Sequence, residues 1–159
     1  MAVRIIIAGP PNSGKSTLAE SLARSLRQLG VDAYAEDLDL ASPTLEFVRG
    51  AKGWEQRVGS TKEWTPELAN EAAAKFEGAS KGHAVVIGDA PGKITAESEK
   101  IAKKANYALI LCRVDHREEI EGWQGFFQRI GVPVIGILVS KLTGTGSVKK
   151  KDIIEATVI

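Results

Sequence analysis

Cysteine is nearly missing from this chain: Cys112 stands alone among 159 residues. One thiol excludes an internal disulfide and any multi-cysteine zinc site, and it suits a reducing, cytoplasmic setting. Histidine is almost as scarce, and His83 and His116 leave little material for histidine-based metal chemistry. Long apolar runs are lacking too. None approaches the roughly eighteen residues that span a bilayer, so no membrane partner is expected. The opening from Met1 to Gly9 is too short for a signal peptide and runs straight into a glycine-rich loop. Nor is one sign of charge in excess, since 21 Lys and Arg face 20 Asp and Glu for a net +1. Global electrostatics therefore gives no support to a dedicated nucleic-acid binder, although a local basic groove stays open.

What remains is the balance of an ordinary soluble domain, 43% hydrophobic and 26% charged, which excludes disorder and low-complexity scaffolding. A chain of this length fits one domain, 1–159, burying about two-thirds of its unfolded surface. Apolar runs alternate with helical patterns along it. Val3 to Ala8 is short and β-branched, as a buried parallel strand should be. Leu18, Leu22, Leu26 and Leu29 then recur at helical spacing until Gly30. Val31 to Ala35, Ala84 to Ile87, Tyr107 to Cys112 and Val132 to Val139 read as further strands. Helices are expected near Thr44 to Val48, from Thr65-Pro66 to Gly78, from Ala96 to Ala105 and up to Gly131. Asp115 with Glu118 suggests a capping box for the last of these. The final twenty residues give no clear element. Strands alternating with helices imply right-handed crossovers, hence a three-layer α/β/α fold with a mostly parallel sheet of five or slightly more strands.

The strongest chemical signal is Gly9-Pro10-Pro11-Asn12-Ser13-Gly14-Lys15-Ser16, which fits G-x-x-x-x-G-K-[ST] between a strand and a helix. Gly9, Asn12, Ser13 and Gly14 would curl the backbone so that N–H groups face phosphate oxygens, helped by the helix N-terminus. Lys15 would reach the β and γ phosphates, Ser16 would ligate Mg²⁺, and Thr17 follows in the same cradle. A second element is expected at the end of a neighbouring strand. Asp89 in Gly88-Asp89-Ala90-Pro91-Gly92 supplies it, positioned to hold Mg²⁺ opposite Ser16, with the Gly92 amide sensing a γ-phosphate. An ordinary Asp-Ala-Pro-Gly turn is the bland alternative. No acidic residue directly follows Asp89, which argues against a motor-type ATPase.

These motifs, with Pro133 to Val139, resemble the signal-recognition, MinD and BioD (SIMIBI) class of P-loop NTPases, which includes dethiobiotin synthetase and the molybdopterin-guanine dinucleotide accessory protein. The likeness runs from Val3 to about Leu142 and leaves 36–64 poorly matched. The MinD branch carries an extra lysine early in this loop, where Pro10, Pro11 and Asn12 stand here. The segments Asp37-Leu38-Asp39-Leu40 and Gly88 to Gly92 are also similar to the P-loop kinase-like domain found with a CRISPR-associated ring nuclease family.

What the loop acts on is less constrained. Asp37 and Asp39 follow the second strand, at the sheet edge where open α/β folds bind ligands. In kinases of similar layout an Asp here directs the acceptor hydroxyl. A solvated acidic loop is the alternative. Between Arg49 and Trp64, Arg49, Lys52, Arg57 and Lys62 interleave with Trp54 and Trp64. Such a stretch could be a lid or a partner surface, or its tryptophans could simply pack on the sheet. Arg113 is weighed as an arginine finger against a solvated side chain. Lys141 stands where related NTPases hold the base, and Thr143 replaces the Asp that would read guanine, favouring ATP over GTP.

The expectation is therefore a MgATP-binding protein that transfers or hydrolyses the γ-phosphate, with Lys15, Asp39 and Asp37 in catalytic roles. Its acceptor would be a small molecule or nucleotide. The rival reading is an ATP-driven switch acting on a protein or nucleic acid. Dimerisation across the nucleotide face stays open.

Overall fold

The computed structural model describes residues 1–50, 62–141, 146–149 and 154–158. Its strands are β1 (Val3–Ala8), β2 (Ala33–Asp37), β3 (Val85–Asp89), β4 (Tyr107–Arg113), β5 (Val134–Ser140), β6 (Ser147–Lys149) and β7 (Ile154–Val158). Its helices are α1 (Lys15–Gln28), the single turn α2 (Leu45–Val48), α3 (Pro66–Ala79), α4 (Ala96–Ala102) and α5 (Glu119–Ile130). The strands form one sheet in the order β2-β3-β1-β4-β5-β7-β6, parallel except for the β6–β7 pair.

Alternation along β1 sorts the core into two layers, because successive side chains leave a strand on opposite faces. Ile6 and Ala8 face a cluster built with Phe76 of α3, Ile101 of α4 and Trp123, Phe126 and Phe127 of α5. Ile7 faces the other way, toward Ala19 and Ala23 of α1 and Leu45 of α2. The result is the expected three-layer α/β/α sandwich. Small residues on α1 let that helix lie close to the sheet, while the α5 side is filled by edge-on aromatics, with Phe126 and Phe127 centroids 5.1 Å apart.

Helix ends follow local chemistry. Thr65 accepts the Leu68 N–H at 3.1 Å with Pro66 opening α3, and Thr95 and Ser98 form a reciprocal capping box for α4. The Asp115–Glu118 box expected for α5 does not form. Arg113 instead takes the Asp115 carboxylate at 3.0 and 2.6 Å, Val114–His116 makes a 3-10 turn, and α5 starts at Glu119.

Among the described residues the sheet has seven strands, two beyond the five read from the sequence and within the five or slightly more expected. Both additions lie in the stretch read as having no clear element: β6 has only three residues, and the alternation Ile154, Ala156, Val158 in β7 is a strand signal that the sequence reading missed. Their evidence is tertiary: β7 pairs in parallel with β5, Gly136 opposite Ile154, and β6 folds back on it. The second strand is also displaced, to Ala33–Asp37, so that Glu36 and Asp37 end a buried strand instead of opening a loop.

Register sets the functional edge. Ile7 stands opposite Asp89 and Asp89 opposite Asp37, so β1, β3 and β2 finish in one row. Phe76, fully buried between α3 and this part of the sheet, is the largest single prop beneath it. Phe76→Ala is expected to cost about 3–5 kcal/mol, read as a lower urea midpoint at unchanged slope.

Candidate functional site

The chain leaves β1 at Ala8 and passes directly over β4. A Cβ on Gly9 would lie 1.9 Å from the Leu111 carbonyl oxygen, a collision with backbone that no rotamer relieves. Only glycine can occupy this position. Asn12 (φ 60°) and Gly14 (φ 93°) are left-handed, the kind of residue that turns neighbouring N–H groups into a concave nest at the start of α1. Lys15, the first residue of α1, is only 8% exposed. Its Nζ folds back to donate to the Pro10 carbonyl at 2.9 Å. Burial lowers the pKa of this ammonium, while Asp89, Asp39 and the Cys112 thiol oppose the shift. Ser13 is buried in the same loop, and its Oγ has no hydrogen-bond partner among the described residues.

Three oxygen-bearing side chains meet beside Lys15. Ser16 Oγ donates to Asp89 Oδ2 and is hydrogen-bonded to Thr44 Oγ1. Asp89 is almost fully buried, and its pKa is pushed up to about 7. Burial is the largest cause; the Ser16 hydrogen bond and Lys15 pull it down, while the neighbouring Asp37 and Asp39 push it up. A carboxylate and two hydroxyls at one point are hard oxygen donors of the kind Mg²⁺ prefers. Thr44 entered the sequence reading only as a helix start. Its position seven residues after Asp37 becomes meaningful once Asp37 is seen to hold it.

Asp37 and Asp39, either of which was expected to direct an acceptor hydroxyl, have different places in the structure. Asp37 Oδ2 accepts the N–H groups of Thr44 (3.0 Å) and Leu45 (2.9 Å), and Oδ1 that of Asp39 (3.2 Å). This carboxylate does not line the cleft. It caps α2 and curls the 38–45 loop. Asp39 does line the cleft, where its Oδ1 accepts the Ser42 N–H at 3.2 Å. Gly92 reaches the phosphate loop from the β3 side, so closely that a Cβ would lie 2.8 Å from the Pro11 nitrogen.

The cleft has a volume of about 420 Å³. Its lining comes from the phosphate loop and start of α1 (Asn12, Gly14, Lys15, Ser16, Thr17), from the segment after β2 (Asp39, Ser42, Val48), from Lys62 and Trp64 before α3, and from the end of β3 and the loop after it (Asp89, Gly92, Lys93). Gly9 and Ser13 shape the loop from beneath, and Lys141 lies past β5, off this cleft. Arg49, weighed as part of a lid, instead pairs with Glu20 at 2.8 Å and donates to the Ala35 carbonyl on the β2 edge. Arg113 is tied to Asp115 away from the cleft. Lys52, Trp54, Arg57 and Thr143 lie outside the described residues.

Comparison with solved structures shows what this arrangement resembles. The septum site-determining protein MinD from Pyrococcus horikoshii, complexed with Mg-ADP, superposes at TM-score 0.69 over 89% of this chain and 71% of that one, at 14% identity. The kinase domain of the Escherichia coli tyrosine kinase ETK gives 0.61 at 16% identity, over 90% and 70%. Cobyrinic acid a,c-diamide synthase from Mycobacterium smegmatis, with bound ATP analog and magnesium, gives 0.62 at 12% identity, over 87% and 75%. The chain has the fold of the SIMIBI-class P-loop NTPases. No family model matches the sequence, and a search of curated proteins finds no match. No helix among the described residues is long and apolar enough to cross a membrane.

The raised Asp89 makes the empty protein pH-sensitive. Its folded pKa lies above its unfolded value near 3.8, so the native state holds the proton longer. The contribution of Asp89 to stability is then fully present below pH 4 and is lost as pH climbs through 7, by up to a few kcal/mol. Asp37, also raised by burial, adds in the same direction. Denaturation of the nucleotide- and metal-free protein across this range should show a shallower decline in Asp89→Asn than in wild type. Identical profiles would refute the assignment.

Proposed function

We propose that this protein binds ATP together with Mg²⁺ and transfers the γ-phosphoryl group to an acceptor. The observation that carries the reading is the convergence of Lys15, Ser16 and Asp89 at the mouth of a loop curled by Gly9, Asn12 and Gly14. A buried ammonium beside a nest of N–H groups fits an anionic polyphosphate far better than a neutral ligand. The unpartnered Ser13 Oγ fits the same occupant, since a buried hydroxyl without a partner is costly.

Ser16, Thr44 and Asp89 would hold the cation, which when bound shields charge on the β and γ phosphates. The protein's own part is positioning and electrostatics. Lys15 would exchange the Pro10 carbonyl for phosphate oxygens, a short swing because its ammonium already lies over the loop. The loop amides would stabilise charge gathering on the leaving diphosphate. Asp39 would orient the attacking hydroxyl and take up its proton. Asp37 would serve indirectly, by fixing Thr44 and Asp39 in the 38–45 loop.

The contact between Gly92 and Pro11 favours a second reading, an ATP-driven switch. A γ-phosphate entering beside Gly92 would bear on the 90–95 loop and alter the surface it presents to a partner. Titration calorimetry with MgATP tests the common core. Wild type should bind, and Lys15→Ala should weaken binding about 10- to 100-fold, the worth of one charge-assisted hydrogen-bond set. An absence of heat for either purine triphosphate would overturn the proposal. Turnover separates the two readings. Under phosphoryl transfer Asp39→Ala abolishes acceptor-stimulated turnover while MgATP still binds; under the switch it leaves partner-stimulated turnover intact.

A further inference from the structure

The cleft is lopsided about the phosphate loop. In the strand order β2-β3-β1-β4-β5, the loop emerges from β1, with β3 and β2 on one side and β4 and β5 on the other. Among the described residues, every other one lining the cleft comes from the end of β3, from segments after β2 and β3 or from the approach to α3, and none follows β4 or β5. Asp39, Asp89 and Gly92 mark the end of the loop where a γ-phosphate would lie. The lining outside the phosphate loop, from 41–48, 62–64 and 93, is therefore available to something besides the triphosphate.

That space has a definite character. Trp64 is half-buried, anchored against the α3–α5 core and directly followed by the Thr65 cap of α3. Val48 adds an apolar wall from α2. Lys62 is fixed by its backbone N–H, which donates to the Ala41 carbonyl at 2.6 Å and ties it to the loop carrying Asp39. Lys93 faces the cleft from the segment before the α4 capping box. Both ammonium groups are exposed, and neither is ion-paired among the described residues. An apolar wall with a tryptophan, two free cations and one carboxylate is complementary to a small molecule with a flat ring, an anionic group and a hydroxyl.

We propose that this half of the cleft is an acceptor subsite for a small, ring-bearing alcohol that carries a phosphate or carboxylate. The ring lies against Trp64 and Val48, the anion between Lys62 and Lys93, and the hydroxyl toward Asp39. In the transfer, the hydroxyl oxygen bonds to the γ-phosphorus and the bond from that phosphorus to the β–γ bridging oxygen breaks. ADP departs with the electron pair, and the hydroxyl proton passes to Asp39. This assignment rests on the phosphoryl-transfer reading above.

The full-length protein is saturated with magnesium and a non-hydrolysable ATP analogue and titrated calorimetrically with three probes: 1-naphthyl phosphate, 1-naphthoate and 1-naphthol. Both anions should bind, at least 10-fold more tightly than the neutral ring. Lys62→Gln and Lys93→Gln should each weaken the anions by about 10-fold, and Trp64→Ala should weaken all three probes. Whichever anion binds better names the charged group, phosphate or carboxylate. Incubation with ATP and a panel of hydroxylated aromatic phosphates and acids, read by mass spectrometry, should then yield a product heavier by one phosphoryl group. Equal binding of anionic and neutral probes would overturn the subsite while leaving ATP binding intact. So would a loss of MgATP affinity in Lys62→Gln or Lys93→Gln equal to the loss for the probes, because the lysines would then serve the nucleotide. Failure of the ATP analogue itself to bind would bring down both proposals.

Discussion

The row formed by the ends of β1, β3 and β2 is the constraint on which the rest of the site depends. Ile7, Asp89 and Asp37 stand level across three parallel strands, so two carboxyl groups are forced into the sheet edge where desolvation is severe. Isolated, such charges would be expelled or neutralised. The fold answers with different compensation for each. Asp37 receives three backbone N–H groups, and Asp89 receives the Ser16 hydroxyl and the field of Lys15. One acid has become structure. The other, its pKa pushed further up to about 7, faces the cleft beside Lys15.

That division explains how a short sequence interval builds so much of the cleft. By taking the Thr44 and Leu45 N–H groups, Asp37 starts the single turn α2, which is too short to be stable alone. The same bonds bring the Thr44 hydroxyl onto Ser16 and swing Asp39 outward. Lys62 then joins the loop through the Ala41 carbonyl. The wall that carries Lys62 and the Ser16, Thr44 and Asp89 cluster are thus one hydrogen-bonded unit, hinged on a residue that does not line the cleft.

Much of this was legible before the structure. The phosphate loop is local: glycines, lysine and serine at fixed spacing between a strand and a helix carry their own geometry. Asp89 was equally legible, because a short apolar run ending in Asp and a Gly-containing turn has few other readings. The roles of Asp37 and Asp39 were not separable, since two carboxylates two residues apart look alike until the backbone decides which one faces the N–H groups. Thr44 was invisible for the same reason. Of the last two strands, β6 is too short to show a period, and the apolar alternation of β7 is weak beside the polar, lysine-rich stretch before it; pairing with β5 and with each other identifies both. Arg49 shows the reverse error. Its charge suggested ligand contact, yet its guanidinium pairs with Glu20, stacks over Tyr34 at 5.1 Å and seals the Ala35 carbonyl on an edge strand that would otherwise invite pairing.

The placement of cations along the edge carries the last step. Arg49 and Arg113 are each held by a carboxylate, and Lys15 lies against a carbonyl, its charge facing Asp89 and Asp39. Lys62 and Lys93 differ from all three: both front the cleft, and neither has a carboxylate of the described chain to neutralise it. Two exposed ammonium groups lining one cavity give it a cationic side that an entering anion can use. With the phosphate loop already supplying its own amides and lysine for a triphosphate, the second pair of cations speaks for a second anion.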